Sequence, residues 1–385
     1  MFNKRRERGD QIIAFAVMIQ SLLLIMQIVL MNVFHMSGDA TTIYRVLLTA
    51  FPMVLAMIVS ANRNLSRFIL TFLIAILLLV ITIAVFPKNE PYVVGEGLRF
   101  FLPVVVPSFL CLTTVSDYKI VERTLYVISW FTAILVLFYF VEYFRGVFSI
   151  EGYNMPFSYA CLLPMVSFYS HRKTYDYLVV LVMLMAVLAI GARGPAVYFV
   201  VYVIIDMLLN RRKWRFAVLI LAIVLIIALP TIYSFFSASG ISSRTLRMLL
   251  EGDFVQDSGR NAIQAYFWSQ LMENPIIGLG LFGDRLKDDV VYCHNLFLEI
   301  LVDFGVLLGS IIIITGVISL IKLFIESESE NKNRIIKYFC ALILPFLTSS
   351  SYLIDSEFAI FVGLCVLLHK DNLYKRNVFT SRKSH

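Results

Sequence analysis

Without a metal or cofactor, the side chains best suited to group transfer at neutral pH are a histidine that takes a proton and arginines that hold an anion. The chain has five histidines, and the charge pattern set out below leaves only His35 and His294 on the outer side of a membrane. A lone histidine usually serves as a hydrogen-bonding group at a helix end. His294 stands apart because it follows a long loop and opens an amphipathic segment. An unperturbed imidazole pKa of about 6.5 suits it to the role of base. Among the arginines expected outside, Arg193 sits in Gly191-Ala192-Arg193-Gly194-Pro195, a very short turn between two apolar stretches. The flanking glycines let backbone and guanidinium come close to a ligand, and phosphate is the partner that the bidentate fork fits. The other outer cations are Arg45, Lys88, Arg99, Arg145, Arg244, Arg247, Arg260, Arg285 and Lys287. Taken singly, each is more simply read as screened by outer carboxylates or lipid phosphates.

A metal is the competing source of electrophilic help. Asp288-Asp289, or Asp253 with Asp257, would be the ligands of a divalent cation, but the first outer loop offers only Asp39. A site with no metal and no cofactor is therefore expected. Cysteine adds little: Cys111, Cys161, Cys340 and Cys365 fall in apolar stretches and Cys293 stands alone in the outer loop, so no disulfide framework is expected.

The elements that position these residues are dictated by composition. Of 385 residues 59% are hydrophobic and 15% charged, and the mean hydropathy of +0.83 excludes an ordinary soluble domain. At about 20 apolar residues per crossing, twelve transmembrane helices are expected, over Gln11 to Phe34, Thr42 to Ser60, Phe68 to Phe86, Phe100 to Val115, Leu125 to Phe144, Phe157 to Ser170, Tyr177 to Gly191, Pro195 to Leu209, Phe216 to Phe236, Gly305 to Ile325, Ile335 to Ser349 and Phe358 to His369. With both termini in the cytoplasm, most Lys and Arg collect on the inner connections while Asp and Glu predominate outside, as the positive-inside rule requires. The pI of about 9.1 is thus a topology signal, and no nucleic-acid partner is expected. Charges near the spans, Glu142, Asp206 and Lys322, lie at span ends. The midplane charges and matched broken helices of ion-coupled transporters are not seen.

The long outer loop from Ser237 to Cys293 has helical punctuation. Ser258 can cap a helix with Ile263, Phe267 and Leu271 on one face, and Asn274-Pro275 stops it. Gly278, Gly280 and Gly283 follow, and an amphipathic segment runs from His294 to Gly305. The expected organisation is residues 1–236 as helices one to nine, 237–304 as an extracytoplasmic loop with amphipathic helices, 305–369 as helices ten to twelve and 370–385 as a cytoplasmic tail.

Ser258-Gly259-Arg260-Asn261, Phe267-Trp268, Asn274-Pro275-Ile276-Ile277-Gly278-Leu279-Gly280, and His294-Asn295 followed by Gly305 resemble the signature region of the O-antigen ligase and O-antigen polymerase superfamily. Gly191-Ala192-Arg193-Gly194 is similar to that family's arginine-glycine turn. The resemblance implies an all-α polytopic fold of GT-C-like type, with the large extracytoplasmic loop between helices nine and ten. It implies a glycosyltransferase of the cytoplasmic (inner) membrane of a bacterium, with its active site on the extracytoplasmic face and an undecaprenyl-pyrophosphate-linked saccharide as donor. Arg193 and Arg260 would stabilise the leaving pyrophosphate, and His294 would take the proton of the attacking sugar hydroxyl. Arg99, Arg247, Arg285, Asn295, Gly278 and Gly280 are the further candidates for binding pyrophosphate or sugar. Tyr266, Phe267 and Trp268 would stack on sugars or anchor the loop helix, with anchoring favoured. Partners would be the lipid-linked donor and acceptor, the bilayer and a chain-length regulator protein. In the ligase branch a small residue or tyrosine is expected three places after the glycine; here Leu308 stands there and Gly309 comes one place late. That favours a polymerase of O-antigen, capsule or exopolysaccharide units. The alternatives are a ligase moving finished polysaccharide to an outer-layer acceptor, and a lipid-linked saccharide flippase.

Overall fold

The structure is a computed structural model that describes residues 2–148, 154–210, 259–286 and 292–383, with Thr231, Tyr233, Ser234 and Ala238 besides. Every regular element among them is helical, and the one extended pairing is an isolated parallel bridge between Asn154 and Gly191. We number the helices α1 Phe2–Met18, α2 Gln20–Asn32, α3 Gly38–Arg63, α4 Leu65–Val85, α5 Pro87–Thr114, α6 Tyr118–Phe144, α7 Met155–His171, α8 Thr174–Ile190, α9 Arg193–Asn210, α10 Arg260–Glu273, α11 Leu296–Glu326, α12 Ser329–Tyr338 and α13 Ser356–Lys383. Six of them, α3, α4, α5, α6, α9 and α11, are long and apolar enough to cross a membrane, and the pair α1 and α2, bent by 44°, adds a seventh if it forms one span. The chain is therefore a polytopic membrane protein. The segment Phe216 to Phe236, expected as the ninth span, lies almost wholly outside the described residues.

Contacts divide the chain into two compact units: Met1–Val17 with Ala50–Val121 and Asp257–His385, and Met18–Thr49 with Glu122–Gln256. In the first, α4 begins at Asn64, whose side chain accepts from the Arg67 N–H at 3.1 Å and so satisfies one of the orphan donors of the first turn. Its outward residues Leu70, Leu73, Leu77 and Ile81 are exposed and apolar, the pattern of a lipid-facing surface. At its far end Leu79 packs with Val93, Leu281, Phe282 and Leu353. Helix α5 is wound as a π-helix over Val93–Val105, with Pro103 inside, and α13 packs along its final turns. Helix α11 breaks at Gly305 (φ 76°), which separates residues 296–304 from the lipid-facing remainder.

In the second unit α7 is the core helix. It is buried along nearly its whole length, from Phe157 to Tyr169, and α2, α8 and α9 pack against it. Asn154 caps it by accepting from the Phe157 N–H at 3.0 Å. A second polar tie holds its opposite end, where buried Asp176 of α8 accepts from the Tyr126 hydroxyl and meets His171 Nδ1, both at 2.9 Å.

Candidate active site

Helices α10 and α11 bring Arg260 and His294 together. Arg260 is the first residue of α10, entered through Gly259 at φ 81°. One turn on, Gln264 Nε2 donates to the His294 carbonyl at 3.5 Å. The two helices are clamped by Phe267 and Leu271 packed on Cys293, Leu298 and Val302, all buried. His294 directly precedes Asn295, the N-cap of α11, and takes the left-handed conformation (φ 56°) that turns the chain into the helix. Its Nδ1 is buried and finds no hydrogen-bond partner among the described residues. Burial first, and then Arg260, push the imidazole pKa down to about 4 against the opposing pull of Asp284. The ring is therefore neutral at pH 7 and has a free lone pair, which is the state a proton acceptor needs.

Arg285 occupies a different kind of place. Its guanidinium is almost fully buried: Nε donates to Glu96 at 3.2 Å, Nη1 to Glu299 at 3.4 Å and to Asp284, and Nη2 to Ser351 Oγ at 2.6 Å. Ser351 in turn donates to Glu299, and Tyr352 donates its hydroxyl to Asp303 at 2.5 Å. Burial alone would lower the arginine's pKa, but Asp284, Glu299, Glu96 and Asp303 together raise it and keep it charged. All three guanidinium nitrogens are thus bonded to protein groups. Arg285 binds the loop to α5, α11 and the segment before α13. Asp284 also accepts from the Cys293 N–H at 2.9 Å, so the cluster sets where His294 begins.

Gly278 and Gly280 likewise serve packing. Both have positive φ, and a Cβ on Gly278 would strike the Val302 carbonyl while one on Gly280 would strike the Phe86 ring. Close approach allows the Leu279 N–H to reach the Val302 carbonyl and the Val306 N–H to reach Pro275, both at 2.7 Å, at the break in α11. Buried Asn89 holds the same loop, donating to the carbonyls of Leu279 at 2.8 Å and Leu281 at 3.0 Å. Asn295 spends its side-chain oxygen on the Phe297 and Leu298 N–H groups at 3.0 and 3.2 Å. Phe267 is core rather than an interfacial anchor, whereas Trp268 is half exposed.

Arg193 begins α9 in the second unit. The turn before it is fixed by the Ser158 hydroxyl, which accepts from the Ala192 N–H at 2.6 Å, and a Cβ on Gly191 would collide with that hydroxyl. The space left by Gly191 is thus filled by protein rather than by a ligand. Arg99 is exposed on α5, with its guanidinium over the Phe100 ring at 5.2 Å. Arg247, Arg244, Ser258, Lys287, Asp288, Asp289, Asp253 and Asp257 lie outside the described residues. Among the described residues no group of acidic, histidine and cysteine side chains has a metal-holding arrangement. Glu96, Asp284, Glu299, Asp303 and Ser351 were not expected to bear on the site. The only signal in the sequence was the acidic interruption of the apolar stretch after His294.

Residues 178–313 match the family model described as O-antigen ligase, and the match supports the O-antigen polymerase and ligase superfamily. Members of this family are glycosyltransferase-like enzymes and include both ligases and polymerases. Neither curated proteins nor solved structures contain a match to the chain. Arg193, Arg260, Arg285, His294 and Asn295 all fall within the matched residues; Arg99 falls outside them.

Proposed function

We propose that the chain is a polymerase of undecaprenyl-pyrophosphate-linked saccharide units on the extracytoplasmic face of the cytoplasmic membrane, working without a metal. The observation that carries this reading is a neutral, half-buried histidine beside an arginine, set at the junction of two clamped helices inside the family-matched segment. In the proposed step an acceptor hydroxyl oxygen attacks the anomeric carbon of the donor. The bond from that carbon to the pyrophosphate oxygen breaks, the hydroxyl proton passes to His294, and lipid pyrophosphate leaves. Arg260 offsets the charge that develops on the leaving group, and Arg193 is the second proposed donor to it. The twelve-span, both-ends-inside topology and the division into residues 1–236, 237–304, 305–369 and 370–385 belong to the same proposal.

The pH dependence follows from the sign of the shift. A free-enzyme pKa of about 4 means that His294 gains a proton only well below neutrality. In purified protein with a lipid-linked donor, kcat/KM should stay level through the range around pH 6.5 where an unperturbed histidine would titrate, and fall only near pH 4. An anionic donor at Arg260 removes one cause of the depression, so the acid limb of kcat should lie higher than that of kcat/KM. His294→Gln, which keeps hydrogen bonding but loses basicity, should retain donor binding and lose transfer by about a hundredfold or more. Comparable transfer by His294→Gln at pH 7 would refute the base assignment. Glycan profiling of a deletion strain separates the acceptors: single repeat units for a lost polymerase, long polymer left on the carrier for a lost ligase.

A further inference from the structure

A cavity of about 980 Å³ lies in the first unit at the other end of α4 from the Arg285 cluster. The 21 residues of α4 span about 32 Å at 1.5 Å per residue, close to the hydrocarbon thickness of about 30 Å. The cavity therefore faces the membrane surface opposite the candidate active site. Four separate segments build it: the start of α1, the α3–α4 junction, the α5–α6 junction and α13.

Arg5, Arg6, Arg8, Arg63, Arg67 and Lys370 line it. Arg63 is held in place, with Nη1 on Asp10 at 2.5 Å and on the Thr114 carbonyl at 2.8 Å and Nη2 on the Arg6 carbonyl at 2.9 Å. Asp10 is buried and also accepts from the Ser116 N–H and hydroxyl, so its charge is spent inside the wall. Among the described residues the remaining five cations form no ion pair. Lys370 donates to the Thr113 carbonyl, and among the described residues the only carboxylate on the wall is Asp371, which already accepts from Asn331.

Topology by itself asks only that cations lie near span ends. It does not ask that cations from four segments converge on one hollow, where mutual repulsion opposes their approach. Such convergence is stable when an anion is shared. Beside the cations, the wall carries Ile12, Val59 and Leu367, and Leu65 and Ile69 stand exposed on the adjoining face of α4. Phosphate beside an apolar, lipid-facing track is the chemistry of a phospholipid.

We infer that this cavity binds the phosphate headgroup of an anionic membrane phospholipid, with its acyl chains along α4. The inference stands apart from the proposed sugar transfer. It is tested by native mass spectrometry of the full chain in detergent, titrated separately with dioleoylphosphatidylglycerol, dioleoylphosphatidylcholine and inorganic phosphate. Phosphatidylglycerol should be retained at least about tenfold more tightly than phosphatidylcholine, since each cation near an anionic headgroup contributes about fivefold. The triple change Arg5→Gln, Arg67→Gln, Lys370→Gln should erase that preference. A charge-matched control, Lys119→Gln, Arg123→Gln, Lys332→Gln, removes basic residues that do not line the cavity and should keep it. Should the triple variant fold poorly, the single exposed change Arg67→Gln should still weaken phosphatidylglycerol by about fivefold. Equal retention of both lipids by the unaltered chain, or equal losses in the cavity and control variants, would overturn the inference. So would inorganic phosphate that binds alone and displaces phosphatidylglycerol, because the site would then belong to a soluble anion.

Discussion

The two ends of α4 handle positive charge in opposite ways. At the end near Phe86, one arginine, Arg285, is buried among Glu96, Asp284, Glu299 and Asp303 and is satisfied by the fold itself. At the end near Arg67, six cations surround a hollow whose wall offers a single carboxylate. The difference separates a cation neutralised by the fold from a group in which only Arg63 has an ion pair among the described residues. A buried ion cluster is costly to break because removal of one member leaves the others desolvated and unpaired. An open basic cavity loses only screened, partly solvated charge when a member is removed. Arg260 falls between these extremes: half-buried, next to His294, and without an ion pair among the described residues.

The sharpest way to break the comparison is Arg285→Met. It removes the cation that, among the described residues, pairs with Glu96, Asp284 and Glu299, and should destabilise the protein by about 3–5 kcal/mol. Thermal unfolding and size-exclusion yield in detergent should show a large loss before any activity is measured. A stable Arg285→Met protein with normal fold and no donor binding would instead return Arg285 to the substrate site. The next effect is catalytic: Arg260→Ala should lower turnover by about a hundredfold while the melting temperature barely moves. Arg260→Lys should recover only part of that turnover, since a point charge lacks the fork.

Asn295→Ala removes the cap of α11 and should cost about 1 kcal/mol in thermal unfolding. Asn295→Ser, which can still cap, should restore both stability and turnover; a stable but inactive Asn295→Ser enzyme would show that the amide contacts sugar as well. The smallest effect is expected from the cavity. Arg5→Gln with Arg8→Gln should change unfolding by no more than about 0.5 kcal/mol and leave transfer unaltered. A stability loss comparable to that of Arg285→Met would mean that these arginines, too, are internal structure.

Much of the architecture was legible along the chain because it is local. The helix over Arg260–Glu273 is punctuated by glycine before it and Asn274-Pro275 after it, and its buried face shows in the spacing of Ile263, Phe267 and Leu271. His294 and Arg260 were legible as residues of suitable chemistry, and their nearness follows from the clamp between α10 and α11. Arg285 was not separable from Arg260 on the same grounds. Both are arginines in one long segment between apolar stretches, and groups that satisfy Arg285 are far away in sequence, at Glu96 and Ser351. The role of Gly280 was hidden in the same way, because the ring it admits belongs to Phe86.

That the chain is helical and membrane-spanning follows from its local pattern. Apolar run length and the distribution of lysine and arginine are one-dimensional properties, and the bilayer reads them segment by segment. The local pattern also singles out His294, Arg260 and Arg193 as the residues proposed here for the transfer. Which cations are neutralised within the fold is set by three-dimensional packing. That depends on which distant side chains share one poorly screened volume, and no spacing along the chain encodes it: Arg285 is neutralised from α5, α11 and the segment before α13, while Arg5, Arg67 and Lys370 meet around a hollow and form no ion pair among the described residues.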